Sequence, residues 1–117
     1  MKILMKRNGI IVADRIELAG NLTAQFRGLI GRRKFENGSA MIFPGCKQVH
    51  TFLMQFPIDV LFINKDRKVI KIIERLDPGK VSGYVRDSFD IVELPSGTIY
   101  DCRIVIGDEL VYERRVK

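Results

Sequence analysis

The chain has 117 residues and carries 20 Lys/Arg against 14 Asp/Glu, a formal net charge of +6. That length bounds a single domain over residues 1–117, able to bury roughly two thirds of its unfolded surface without disulfide staples. A 46% apolar and 29% charged composition excludes disordered and fibrous classes, and no apolar run reaches the ~18 residues of a membrane span.

In chain order, Lys2–Lys6 and Ile10–Ile16 read as a hairpin around Asn8-Gly9, a pair that tolerates the positive φ of a tight turn. The first twelve residues hold basic side chains but no apolar h-region before Arg7-Asn8-Gly9, which argues against a signal peptide and for the cytoplasm. Leu22, Phe26, Leu29 and Ile30 then recur at helical spacing. Asn21 suits the start of that helix and Gly31 its end. Gly28 inside it signals close backbone packing or an early stop.

Ser39–Phe43 reads as a short buried strand closed by Pro44-Gly45. Val49–Met54 alternates as a strand would, with His50, Phe52 and Met54 on one side. After Pro57, Asp59, Leu61 and Ile63 share one face and Val60 and Phe62 the other. Lys65-Asp66-Arg67 turns the chain into Lys68–Arg75. A polar loop from Asp77 to Ser88 is the longest irregular stretch. Ile91–Leu94 is a further strand, and Thr98–Cys102 reads as one or two helical turns. Ile104–Ile106 and Glu109–Arg115 complete a terminal β element around Gly107-Asp108. The expected class is α+β: a mostly antiparallel, curled, barrel-like sheet with one or two short helices.

The same residues resemble a known family. Arg27-Gly28-Leu29-Ile30, Ala40-Met41-Ile42-Phe43, Val49-His50-Thr51-Phe52-Leu53-Met54, Ile58-Asp59-Val60-Leu61-Phe62, Val92-Glu93-Leu94-Pro95-Ser96-Gly97 and Ile106-Gly107-Asp108 recur in this order in the bacterial and archaeal domain-of-unknown-function family 192. The resemblance spans roughly residues 12–112, strongest from His50 to Phe62. It implies a small β-rich fold and no established activity. Family members often have Met at Ile30, Gly at Ala40 and Asp-Gly at Asp66-Arg67, and many carry an export signal.

Candidate chemistry centres on His50, the only histidine, and on Asp59, both set in apolar sequence. A buried charge is costly unless paired. The two side chains either converge on a pocket, where the carboxylate orients the imidazole, or each satisfies backbone groups. Glu93 should point away from Val92 and Leu94, toward solvent or an arginine such as Arg27. Arg27 can instead grip a carboxylate or phosphate. Met54 belongs to a Met/Phe-rich group that fills a core or walls a pocket.

The leading expectation is thus non-catalytic binding of a small anionic molecule by Arg27, His50, Asp59, Met54 and Glu93. The alternative is a nucleic-acid contact through Arg32, Arg33 and Lys34, with Tyr84 and Phe89 available for stacking. Residues 1–50 carry the entire +6 excess. A third reading pairs Cys46 with His50 as nucleophile and base. Cys46 and Cys102 read as free thiols. No zinc-ligand spacing or phosphate-binding glycine loop points to a metal or cofactor.

Overall fold

The computed structural model of the chain describes residues 1–114. Eight strands and two short helices follow in order: β1 (Lys2–Met5), β2 (Ile11–Ala13), β3 (Arg15–Leu18), α1 (Leu22–Arg27), β4 (Ser39–Pro44), β5 (Ile58–Ile63), β6 (Val69–Leu76), β7 (Asp90–Pro95), α2 (Thr98–Cys102) and β8 (Leu110–Glu113). The expected terminal strand therefore begins at Leu110, and Arg115 lies outside the described residues.

The strands form a five-stranded sheet in the order β3-β4-β7-β5-β6 and a three-stranded sheet in the order β2-β1-β8. Every pairing is antiparallel except β3 with β4. The α+β class holds, but the sheets do not close into a barrel. The reason lies at Asp14. The expected strand Ile10–Ile16 breaks there, because the amides of Asp14 and Arg15 both donate to Gly38 O. Ile11–Ala13 stays with β1, while Arg15–Leu18 leaves to become the parallel edge of the larger sheet.

Strands β5 and β7 are buried along their whole length. Both faces of the larger sheet are covered, which explains why these strands read as near-continuous apolar runs. One face carries Ala40, Ile42, Leu61, Ile63, Val92 and Leu94, packed against Ile3, Met5 and Leu110 of the small sheet and Ile99 of α2. The other carries Met41, Phe43, Ile58, Val60, Phe62 and Ile91. It is covered by Leu29 after α1 and by Val49 and Met54 from the β4–β5 connection.

Two local expectations fail for identifiable reasons. Val49–Met54 is not a strand; His50 makes one isolated bridge to Val81 and the chain then turns, with Met54 N bonded to Thr51 O. The Thr51 hydroxyl donates to Asp77 O and accepts from Lys80 N, so a side chain takes the place of a ladder. Ile104–Ile106 is likewise a turn, organised by the Asp108 carboxylate accepting from Val105 N.

Candidate functional site

The α1 segment decides where a cleft opens. Asn21 caps it by accepting from Ala24 N at 2.8 Å. Gly28 ends it, with φ 45° and ψ −122°, a conformation side chains strongly disfavour. The helix therefore stops three residues before Gly31, and the expected single apolar face divides. Leu29 turns into the core, whereas Leu22 and Phe26 stay 85% and 73% exposed. Two side-chain bonds tether α1 to the sheet side. Gln25 Nε2 donates to Pro44 O at 3.0 Å, and His50 Nε2 lies 3.1 Å from Phe26 O.

Phe52 N donates to His50 Nδ1 at 3.2 Å, so the imidazole proton resides on Nε2, which donates to Phe26 O. Both ring nitrogens are thereby engaged with backbone. The ring also lies between Phe26 and Phe52, at centroid distances of 5.5 and 5.1 Å. His50 acts as a tie between the covering loop and α1.

Beneath this tie is a cavity of about 260 Å³. Its walls include Phe26, Leu29, Phe43, Val49 and Met54; its polar lining includes Arg27, Cys46, His50 and Glu93. Glu93 is the unusual member. It sits in the middle of β7, opposite Met41 on one neighbour and Val60 on the other. Only 2% of it is exposed, and its Oε1 has no hydrogen-bond partner among the described residues. Burial without a counter-charge pushes its carboxyl up to about 8, so it is mostly un-ionised at neutral pH.

Of the residues singled out from sequence, Arg27, His50, Met54 and Glu93 meet at this cleft. Asp59 does not. Its side chain is on the opposite face, where Oδ1 accepts from Arg75 N (2.9 Å) and Oδ2 from Gly97 N (3.1 Å) and Ile99 N (3.0 Å). It organises the start of α2 and the end of β6, so His50 and Asp59 do not share a hollow. Glu93 faces neither solvent nor a paired Arg27. Arg27 is exposed, with no ion-pair partner among the described residues. Gln25 and Gly28 also line the cleft, and the signal for the second is its place as a glycine inside a helical run.

The Cys46 thiol is pushed up, first by burial and then by the nearby Asp90 and Glu93 carboxyls. No hydrogen bond joins it to His50 among the described residues, so the geometry lacks the activated pair that a thiol nucleophile needs. In the basic segment, Arg32 makes a two-pronged bond to Glu17 at 2.6 and 2.7 Å, and Lys34 pairs with Glu36 at 2.8 Å. Hydrogen bonding to Arg32 holds the Glu17 carboxyl below its usual range. No helix among the described residues is long and apolar enough to cross a membrane.

Known proteins are similar to this chain in sequence and in fold. A UPF0127 protein from Thermococcus sibiricus is 27% identical over 115 residues, covering 95% of this chain and 74% of the relative. A crystal structure of a protein of unknown function from Novosphingobium aromaticivorans superposes with a TM-score of 0.82 at 21% identity, over 95% of this chain and 82% of that one. Another, described as a candidate transcription regulator from Sinorhizobium meliloti 1021, gives 0.78 at 25% identity, over 94% and 89%. The profile of DUF192, described as "Uncharacterized ACR", matches residues 3–112, nearly the whole of the fold just described, and the chain belongs to that family.

Proposed function

We propose that this domain binds a small anionic molecule with an apolar body in the cleft between α1 and the five-stranded sheet. The observation that carries the reading is the partnerless Glu93 oxygen, buried at the cleft in an apolar setting. Buried polar atoms are almost always hydrogen-bonded, and an orphan costs about 1–3 kcal/mol. A ligand group that pairs with it offsets that cost. The volume, about 260 Å³, lies below the roughly 300–1,000 Å³ of sites for drug-sized ligands and suits a smaller molecule. With Glu93 un-ionised and both His50 nitrogens engaged, the unpaired Arg27 guanidinium sets the charge preference toward anions.

A thermal-shift screen of small carboxylates, phosphates, amines and neutral amides tests this. A ligand at one hundred times its Kd adds about 2.7 kcal/mol of stability. Anions with an apolar portion should raise Tm in the wild type, and Phe43→Ala should abolish the shift. A panel in which no anion moves Tm sinks the reading.

Nucleic-acid contact through Arg32, Arg33 and Lys34 ranks second. Its support is the net charge of +6 and the description of the Sinorhizobium meliloti relative. Against it, Arg32 and Lys34 already hold carboxylates. Binding by this segment would weaken steeply with salt, and Arg33→Ala should flatten the slope by about one unit. Failure to retain duplex or single-stranded DNA or RNA at low salt removes it.

A further inference from the structure

Resting on the cleft reading above, we infer that the ligand is a small monocarboxylate whose head group accepts a hydrogen bond from the buried Glu93 carboxyl, whose Oε1 has no partner among the described residues, so that binding is linked to one proton.

The geometry restricts what can meet Glu93. Its neighbours across the sheet on the same face are Met41 and Phe43 of β4 and Val60 and Phe62 of β5, none of them titratable. From the covering elements, the titratable or charged groups lining the cleft are Arg27 of α1 and Cys46 and His50 of the β4–β5 connection. The Cys46 thiol is un-ionised at neutral pH, and His50 spends both nitrogens on backbone. Asp90 and Asp59 belong to the opposite face, Asp90 bonded by Tyr112 and Asp59 by three amides. Among the described residues, therefore, no fixed cation holds Glu93 ionised and no acceptor takes its proton.

A carboxylic acid kept neutral in an apolar site is a strong donor to an oxyanion, because it contributes a proton without adding charge. A carboxylate ligand completes an O–H···O⁻ bond, among the shortest and strongest in proteins. A phosphate dianion would carry twice the charge into the same apolar walls, with only the exposed Arg27 to offset its desolvation. An ammonium ligand would favour the ionised form of Glu93 and would meet Arg27 at like charge. The walls of Phe43, Val49 and Met54 match a short hydrocarbon or aromatic body.

The consequence is measurable. A bound anion stabilises the protonated form of Glu93, so its proton is held above the pH at which the free protein would release it. Affinity should be level from pH 6 to 7 and fall about tenfold per unit once the free carboxyl, pushed up to about 8, ionises.

The test is titration calorimetry with hexanoate and benzoate between pH 6 and pH 9.5, each in two buffers of different ionisation enthalpy. Hexylamine, hexanamide and inorganic phosphate serve as controls. The expected result is carboxylate binding with uptake of close to one proton near pH 9. Glu93→Gln, checked for folding by circular dichroism, should retain a weaker, pH-independent interaction with no proton uptake. Carboxylate binding with no proton exchange in the wild type, or with uptake that survives in Glu93→Gln, overturns this inference and leaves anion binding standing. Hexylamine binding with proton release overturns it and the anion preference together. Absence of binding by every compound overturns both this inference and the cleft reading.

Discussion

Asp59 and Glu93 occupy successive steps of the β5–β7 ladder yet point to opposite faces of the sheet. Asp59 lies opposite Leu94 and Glu93 opposite Val60, so the strand alternation separates them. Both are almost completely buried, at 1% and 2% exposure. Asp59 accepts three backbone amides, whereas Glu93 keeps an oxygen with no partner. Burial is common to the two carboxyls; hydrogen bonding is what divides a structural acid from a candidate functional one.

Asp59→Ala should be severely destabilising. It strands the amides of Arg75, Gly97 and Ile99, and each buried donor left without a partner costs about 1–3 kcal/mol, the lower end applying where water reaches the site. A loss of about 3–5 kcal/mol is expected in urea unfolding, with Asp59→Asn milder because its amide oxygen still accepts. A change under about 0.5 kcal/mol, the range of ordinary surface substitutions, would contradict the assignment.

Glu93 should make the protein less stable as pH rises. Its folded-state carboxyl is raised to about 8, while the unfolded chain titrates near the ordinary ~4.3. Between those values the folded state binds more protons, so unfolding free energy falls with pH, by up to about 1.4 kcal/mol per unit, and levels off above the folded value. Below pH ~4.3 this contribution is fully present. Urea melts at pH 5, 7 and 9 should show the decline, and Glu93→Gln should reduce it. Equal slopes in the two proteins would show that Glu93 is not the titrating group.

Gly28→Ala should disturb the cleft and the fold together. At φ 45° an added Cβ is strained and would meet the Phe43 ring at 3.4 Å. Non-glycine residues in such conformations cost about 1–3 kcal/mol. The expected readout is a lower urea midpoint at unchanged m-value. Wild-type stability would mean that the turn after α1 relaxes freely and that Gly28 does not hold the cleft open.

His50→Ala should loosen α1 more than it destabilises the domain. It removes the donor to Phe26 O and the acceptor for Phe52 N, each worth about 1 kcal/mol net. No residue of α1 is buried, so the helix depends on such ties. Amide exchange at Ala24–Gly28 should accelerate about five- to tenfold, with core strands β5 and β7 little changed. Unaltered exchange in α1 would show that Gln25 alone suffices.

Much of this protein is determined by its order of residues. Alternation along Asp59–Ile63 and Ile91–Leu94 assigns each side chain to a face of its own strand, and that assignment holds for Asp59, Leu61, Val92 and Glu93 alike. The short helix at Thr98–Cys102 and the α+β class are equally legible, because period and turn chemistry are local properties, and the family is legible from the motifs that carry the resemblance. What required the tertiary structure is what stands across from each face. Alternation sets Glu93 against Val92 and Leu94 and groups Asp59 with Leu61 and Ile63; it does not show that the two carboxyls point to opposite faces of one sheet, nor that α2 and β6 bring three amides to one while apolar side chains surround the other. Nor does it reveal that Thr51 replaces a strand ladder at Val49–Met54, or that Asp14 transfers the chain between sheets. Those outcomes depend on hydrogen-bond partners tens of residues away in the chain. A partner's distance in sequence carries no local signature, so only the folded arrangement decides which polar group is satisfied and which is left to meet a ligand.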